Sequence, residues 1–547
     1  MSEVAQEDAT LLAQLEQTRE ELEQARRELR ELNKIGMALM SERDPDRLLG
    51  IILTQARALT GSDAGSLYLV EEGEDGSDVL HFLCAQNDTL PHLESDNFKL
   101  PLDDTSLAGY AALTGKPLVL EDAYEIPEGA PYSFNRAAFD DVHGYRAKSM
   151  LVMPMVDHKD KTIGVLQLLN RKSDPDAKIR TDEDSDRWVL PYTERDVNIV
   201  ASLAGQAAVS IENGQLYQAI ENLLDGFIKA SVTAIEHRDP ATSGHSVRVT
   251  ELTCDTAELI NQKTEGPFAD VSFSPEEMKQ LRYAGLLHDF GKIGVREATL
   301  VKQDKLPPVM GAQVDGRFDL IQKTLEADAA TAKADVLQAK GRVGSAEHVT
   351  AIEEKLVEDL GTLSQYREAV RDANIPRVLD EDAAGILVEI AKRAFIDPDG
   401  NEQAYITPEE LHFLSIKRGT LDEVERKEIE LHVMHSFDFL INIPWTDELS
   451  RIAEIVRGHH EKLNGKGYPD GVTRERLSLE TRIMSVCDIF DALTASDRPY
   501  KKAMPVEKAL QILRWEAEEG ALEPDIVELF IASEVYKKVM ERDWREF

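Results

Sequence analysis

Several short runs in the second half of this 547-residue chain set imidazoles and carboxylates on apolar, helix-patterned sequence. They are TSGHSVRV (His245), LLHDFGKIG (His288, Asp289, Lys292), IELHVMHS (His432), RGHHEKLNGKGYPDG (His459, His460) and SVCDIFDALTASDRPYKK (Asp488). A lone histidine on such a face is usually a satisfied core residue. Adjacent His–Asp and His–His pairs differ, because burying two polar rings beside a carboxylate costs several kcal/mol unless something binds them. Imidazole with carboxylate and no thiolate suits iron, manganese, nickel or zinc acting as a Lewis acid. Two such ions close together need a carboxylate that reaches both, and Asp289, next to His288, is the natural bridge. Pattern alone therefore points to a dinuclear metal hydrolase.

The elements that must position these residues follow from texture. The second half is helical in pattern, and within it residues 305–405 form an Ala/Glu/Lys/Leu-rich helical insertion, expected as an antiparallel hairpin turning near 341–345. DPDGN at 397–401 lacks the acidic spacing of a calcium loop and is read as a turn. Residues 42–215 are mixed α/β: a helix ended by Gly61, then strand-like runs at AGSLYLV, VLHFLCAQ, PLVLED, SMLVMPMV and TIGVLQLLN. A second helix leaves this region through a connector at 216–240 and runs into the last domain, 225–547. Residues 1–41 carry heptads, with Leu15, Leu22 and Leu29 at one position and Leu11, Thr18, Ala25, Leu32 and Leu39 at the other, as in a short parallel coiled coil that makes a homodimer.

Composition narrows the function. A net charge of −40 repels nucleic-acid phosphates and anionic lipid, which excludes a polymer-binding or membrane-surface role. No stretch is apolar enough to span a membrane, and the acidic N-terminus is not a secretory signal. The cysteines Cys84, Cys254 and Cys487 are scattered and odd in number, which suits a reducing, cytoplasmic setting.

The ordered runs HDFGK, HHEKLNGKGYP and DIFDALTASDRPYKK resemble the HD-GYP family, a branch of the HD metal-dependent phosphohydrolases; Gly467, Tyr468 and Pro469 are the GYP triplet. The likeness covers about 225–304 and 406–547. It implies an all-helical domain that hydrolyses a cyclic dinucleotide, cyclic di-GMP first, with 3′,3′-cGAMP as the alternative substrate and a non-catalytic signalling adaptor as the alternative role. It also implies two divalent ions, iron or manganese before nickel or zinc. His245, His288, Asp289 and Asp488 would hold one ion, and Asp289, His432, His459 and His460 the other. Lys292 would lie beside the scissile phosphate, Arg498 and Lys501 would grip substrate phosphates, and the 465–469 loop would shape the pocket. Relatives with a third ion carry a Glu where this chain has Ala241, hence the expectation of two. His435 and His348 are not expected as ligands. The distance from Asp289 to His432 exceeds the family pattern, and the insertion accounts for the excess; it would dimerise, cap the site or bind a signalling partner.

HGYRAKSMLVMPMVDHKDKTIGVLQLLNRK gives the 42–215 region a resemblance to GAF domains, an antiparallel sheet with helices that binds small molecules in signalling proteins. Nucleotide-binding members often carry Asn-Lys and then Phe-x-x-x-Asp-Glu. This chain has Asn170, Arg171, Tyr192, Asp196 and Val197, a partial match read as a structural lock, so the ligand stays unknown. The implied role is to bias a dimer whose connecting helix positions the catalytic domains.

Overall fold

A computed structural model describes the chain apart from residues 1–14, scattered positions between 16 and 43, and 74–75, 92–97, 135–139, 141–142, 240–243, 496–502 and 542–547. Most of the expected N-terminal heptad positions, Ala241, Arg498 and Lys501 lie outside the described residues. The chain divides into two compact units, Met1–Leu223 and Leu224–Phe547.

In the first unit, the runs read as strands form β1 (Ser62–Glu72), β2 (Asp78–Asn87), β4 (Leu118–Leu120), β5 (Met150–Val156) and β6 (Thr162–Lys172). Two shorter strands join them, β3 (Lys99–Pro101) and β7 (Val189–Leu190). The sheet order is β3-β2-β1-β6-β5-β4, with β7 on β6, and every pairing is antiparallel. Side chains alternate between its faces with the strand period of two. Leu67, Leu151 and Leu166 face the helices Pro45–Thr60 and Glu194–Arg238, where Ile52, Val200 and Leu203 meet them. Tyr68, Val152 and Val165 face the other way, onto Leu107–Thr114. The sequence-expected lock is present: Arg171 Nε lies 3.1 Å from Asp196 Oδ2, and Asn170 Nδ2 donates to Tyr145 OH (3.0 Å) and Arg146 O (2.7 Å). Asn170 itself sits at φ 54°, a conformation Asn tolerates better than most residues.

The helix Glu194–Arg238 runs on without a break. Its N-terminal part buries Ala204, Ala207 and Ile211 in the first core. Val209, Leu216, Ile220 and Leu223 stay exposed, and 209, 216 and 223 recur in sevens with Ile220 between them.

The second unit is helical, with, among the described residues, one two-stranded hairpin that the helical texture did not announce: β8 (Ala394–Ile396) and β9 (Glu402–Ala404). Asp397 makes its turn, accepting from the backbone N–H of Asp399 (3.0 Å) and Asn401 (2.8 Å) and from Gln403 Nε2 (2.7 Å), so its carboxylate is satisfied by protein donors. One core joins the helices His245–Asn261, Pro275–Leu287 and Leu479–Thr494 with the C-terminal helices, through Val249, Leu287, Ile483, Phe490 and Phe530. The insertion has a separate core. Helices Pro308–Gly344 and Ala346–Asn374 reverse at Gly341, whose φ of 67° breaks the first helix. Asp315 pairs with Arg371 and Lys333 with Glu353, as antiparallel helices require. Phe318, Ile321, Leu363 and Val370 are covered by Leu387 and Ile390 and, past residue 405, by Ile406 and Leu414. Phe318→Ala is expected to cost about 3–5 kcal/mol, the price of a large cavity in a small core, measured by urea unfolding.

Candidate metal centre

Each candidate ligand stands where a helix begins, ends or packs most tightly. Gly244, at φ 68°, turns the chain so that His245 opens the helix His245–Asn261. The helix Pro275–Leu287 starts at a capping box between Ser274 and Glu277 and delivers His288 at its C-terminal end. Asp289 then leads into a short 3₁₀ helix, Phe290–Gly294, which carries Lys292. His432 begins His432–Leu440, His459 and His460 follow Ile452–Arg457, and Asp488 lies mid-helix in Leu479–Thr494. Gly291 is required here: a Cβ on it would stand 1.9 Å from His432 O. Ser436 ties the two helices, its Oγ donating to His288 O (2.8 Å) and accepting from Gly291 N–H (2.7 Å).

These side chains converge in two groups, His245–His288–Asp289 and His432–His459–His460, whose potential ligand atoms lie within 4.8 Å of one another in each group. Asp289 faces both. Its Oδ2 is 3.6 Å from His245 Nε2 and 3.4 Å from His288 Nε2, and its Oδ1 is 3.4 Å from His432 Nε2. Asp488 also reaches both, with Oδ1 3.2 Å from His245 Nε2 and Oδ2 3.7 Å from His460 Nδ1. Two ligands held about 2.1 Å from one ion stand roughly 3–3.5 Å apart, so such spacings suit a shared cation better than direct hydrogen bonds.

The ring tautomers argue the same way. Nδ1–H of His288, His432 and His459 donates to the carbonyl three residues back: Gly285 (2.7 Å), Ile429 (2.6 Å) and Val456 (2.6 Å). Each Nε2 is then a bare lone pair, buried and without a hydrogen-bond partner. Backbone hydrogen bonds of this kind set ligand histidines. Burial, followed by the Asp289 and His460 charges acting in opposite senses, takes His432 down to about 4. Burial and the neighbouring imidazoles hold His459 well below the ordinary range. Both rings are therefore neutral and free to ligate. The carboxylates stay ionised: burial opposes the charge on Asp289, but Lys292 and the histidines hold its pKa far down, and His245 does the same for Asp488. Lys292 Nζ sits 2.8 Å from Asp289 Oδ2 and 3.5 Å from Asp239 Oδ2, and these charges outweigh burial and raise its pKa. The donor set fits divalent ions.

Two residues of the centre escape the motif reading. Asp491 accepts from His245 Nδ1 (2.7 Å) and forms a two-point pair with Arg248 through Nε (2.7 Å) and Nη2 (3.1 Å). It orients His245 as the backbone carbonyls orient His288, His432 and His459. Its spacing of three from Asp488 on one helix was the available signal. Glu461, third in the HHE run, is buried and accepts from the amides of Asp470 (2.6 Å), Gly471 (3.0 Å) and Val472 (3.1 Å). It anchors the loop that bears Gly467, Tyr468 and Pro469. A Cβ on Gly467 would stand 2.3 Å from Lys462 N, and the Tyr468 ring leans on His460 at 4.8 Å between centroids. Of the residues not expected as ligands, His348 bonds Lys340 Nζ (2.7 Å), and His435 packs against Gly294.

An HD domain family model matches residues 242–359, a second HD domain model matches 404–526, and a GAF domain model matches 44–211. The chain carries a GAF domain and HD-family regions. The two HD matches are halves of one centre, since the first contributes His245, His288 and Asp289 and the second His432, His459, His460 and Asp488. Among curated relatives, a 3′3′-cGAMP-specific phosphodiesterase of Vibrio cholerae is 45% identical over 97 residues, 18% of this chain and 20% of that protein. A cyclic di-GMP phosphodiesterase of Pseudomonas aeruginosa is 31% identical over 157 residues, 28% of this chain and 33% of that protein. A cyclic di-GMP phosphodiesterase of Thermotoga maritima is 37% identical over 97 residues, 17% of this chain and 26% of that protein. The chain thus spans no more than about a third of these relatives' length. The GAF and HD resemblances drawn from the motifs hold, as does the fold class: a GAF-type antiparallel sheet followed by a helical HD region. Among the described residues, no helix is long and apolar enough to cross a membrane.

Asp491→Asn keeps the shape of the side chain but weakens its hold on His245 and Arg248. We expect about 10–100-fold weaker metal binding, read by titration with a competing chelator, and an unchanged far-UV circular dichroism spectrum.

Proposed function

We propose that the HD region hydrolyses a 3′–5′ phosphodiester of a cyclic dinucleotide, cyclic di-GMP first, at a dinuclear metal centre regulated by the GAF domain. The observation that carries this reading is Asp289, whose two oxygens face separate histidine groups with buried, unpartnered Nε2 atoms. His245, His288, Asp289 and Asp488 would hold one ion, and Asp289, His432, His459 and His460 the other. The ions, iron or manganese by preference, supply Lewis acidity that activates water and neutralises charge on the phosphoryl oxygens.

The chain's own residues do the rest. Lys292, kept protonated by Asp289 and Asp239, lends positive charge beside the phosphate and a proton for the leaving 3′ oxygen. Asp491 and the backbone carbonyls hold the imidazoles in their ligating tautomers. Glu461 holds the Gly467–Tyr468–Pro469 loop at the pocket. Arg498 and Lys501 are the proposed phosphate grips. The relative that acts on 3′3′-cGAMP favours that dinucleotide as the second substrate to test.

Full-length protein loaded with Mn²⁺ or Fe²⁺ is expected to convert cyclic di-GMP to the linear dinucleotide, followed by chromatography, with 3′,3′-cGAMP in parallel. Asp289→Ala should lower turnover by about 10³-fold or more, because both ions lose a ligand. Absence of turnover of either dinucleotide by metal-replete protein would sink the reading. Elemental analysis should give two ions per chain, and three would overturn the count.

The protein is further proposed to act as a parallel homodimer, in a cytoplasmic setting. Supporting this, Val209, Leu216, Ile220 and Leu223 form an exposed a/d stripe on the Glu194–Arg238 helix, with Asn213 at an a position. Leu216→Asp together with Leu223→Asp should shift the protein from dimer to monomer in analytical ultracentrifugation. An unchanged sedimentation coefficient would count against the stripe as the seam.

A further inference from the structure

The metal centre opens into a cavity of about 540 Å³ whose walls include His459, His460 and Tyr468. That size suits a bound small molecule. On a chain with a net charge of −40, its cationic content is unusual: Arg418, Lys462 and Lys466 all line it. The carboxylates there are already engaged. Glu516 pairs with Lys462 Nζ at 2.7 Å, and Glu461 is held by the loop amides. Arg418 and Lys466 have no carboxylate partner among the described residues.

Arg418 comes from an unexpected place. It follows the helix Pro408–Leu414, the last element covering the insertion's own core, where the chain returns toward the HD core. Its position is set by its neighbours. Lys417 O accepts from Leu379 N–H (3.2 Å), Gly419 turns the chain at φ 81°, and Thr420 Oγ1 donates to Lys302 O (3.3 Å). Lys302 is buried and pairs with both oxygens of Glu425 at 2.7 Å. A guanidinium on so fixed a footing is suited to two-point recognition of a phosphate.

The cavity also has an apolar wall that includes Met504, Ile512 and Trp515. On the helix Val506–Glu518, Ala509 and Leu513 turn into the HD core, while Trp515 remains 54% exposed and lines the cavity. An indole left open beside cationic groups is a stacking platform for a base whose phosphate those groups hold.

We propose that Arg418, on the chain that follows the helix Pro408–Leu414, and Trp515 form a phosphate-and-base clamp for the half of the dinucleotide that is not being cleaved. The clamp rests on the reading of the substrate as a cyclic dinucleotide. It gives the segment that follows the insertion, and that helps to cover the insertion's core through Ile406 and Leu414, a direct part in substrate recognition.

The test uses the full chain and the variants Arg418→Ala, Arg418→Lys, Trp515→Ala and Trp515→Phe, each checked for metal content and circular dichroism. In metal-replete protein, Arg418→Ala and Trp515→Ala should each raise KM for cyclic di-GMP about tenfold or more, with a much smaller change in kcat. Trp515→Phe should recover most of the loss, and Arg418→Lys only part of it. In metal-stripped protein, where no cleavage consumes ligand, cyclic di-GMP should quench tryptophan emission, and Trp515→Phe should remove that quench. Wild-type KM and quench in all four variants would overturn the clamp and leave the phosphodiesterase reading standing. Binding that depends on Arg418 and Trp515 without any turnover would support the clamp and sink the hydrolase reading. Wild-type protein that neither binds nor cleaves the dinucleotide would overturn both.

Discussion

Negative charge buried in a helical core is the constraint on which the HD region turns. Asp289, Asp488 and Asp491 are buried, and an isolated carboxylate in such surroundings would take up a proton instead of staying charged. Lys292 compensates Asp289, Arg248 compensates Asp491, and His245 lies between Asp488 and Asp491, which together lift it, against its burial, to about 9. His432, His459 and His460 are pushed toward neutrality by the same burial. The result is a set of ionised oxygens and bare nitrogen lone pairs around a common volume, which is what a divalent cation needs. The glycines and serines around the centre serve this geometry. Gly291 lets the 3₁₀ turn approach His432, and Ser436 and Ser485 hold the carbonyls of His288 and His459.

Much of this was legible in the chain. Adjacent His–Asp and His–His pairs on apolar helical sequence announce themselves, because ordinary cores do not bury such pairs. The β1, β2, β5 and β6 runs were legible for a similar reason, being long and rich in β-branched and large apolar residues. The short β3, β7, β8 and β9 carry too few residues for a period to register, and tertiary pairing alone makes them strands.

What the chain concealed belongs to relations between distant segments. Asp491 reads as an ordinary helix acid until His245 and Arg248, from another helix, close on it. Glu461 lies inside a motif that suggests metal ligation, yet its oxygens are taken by three successive amides of the following loop. The GAF lock lay between these extremes. Asn170, Arg171 and Asp196 were visible as a partial motif, and the Arg171–Asp196 ion pair accounts for their pairing without any ligand.

The insertion bears on how the HD core assembles at all. His288 and His432 belong to one centre but are separated by the whole arm, and an unstructured segment of that length would tax their meeting with a loop-closure entropy that grows with its logarithm. The arm has its own hydrophobic core, and the chain flanking it on either side is joined by Thr420 Oγ1 to Lys302 O and by the Lys302–Glu425 ion pair. With that core in place, the flanking segments lie side by side, and the two histidine-bearing halves meet as though joined by a short turn. A segment that lengthens the chain between the histidines thereby shortens their effective separation.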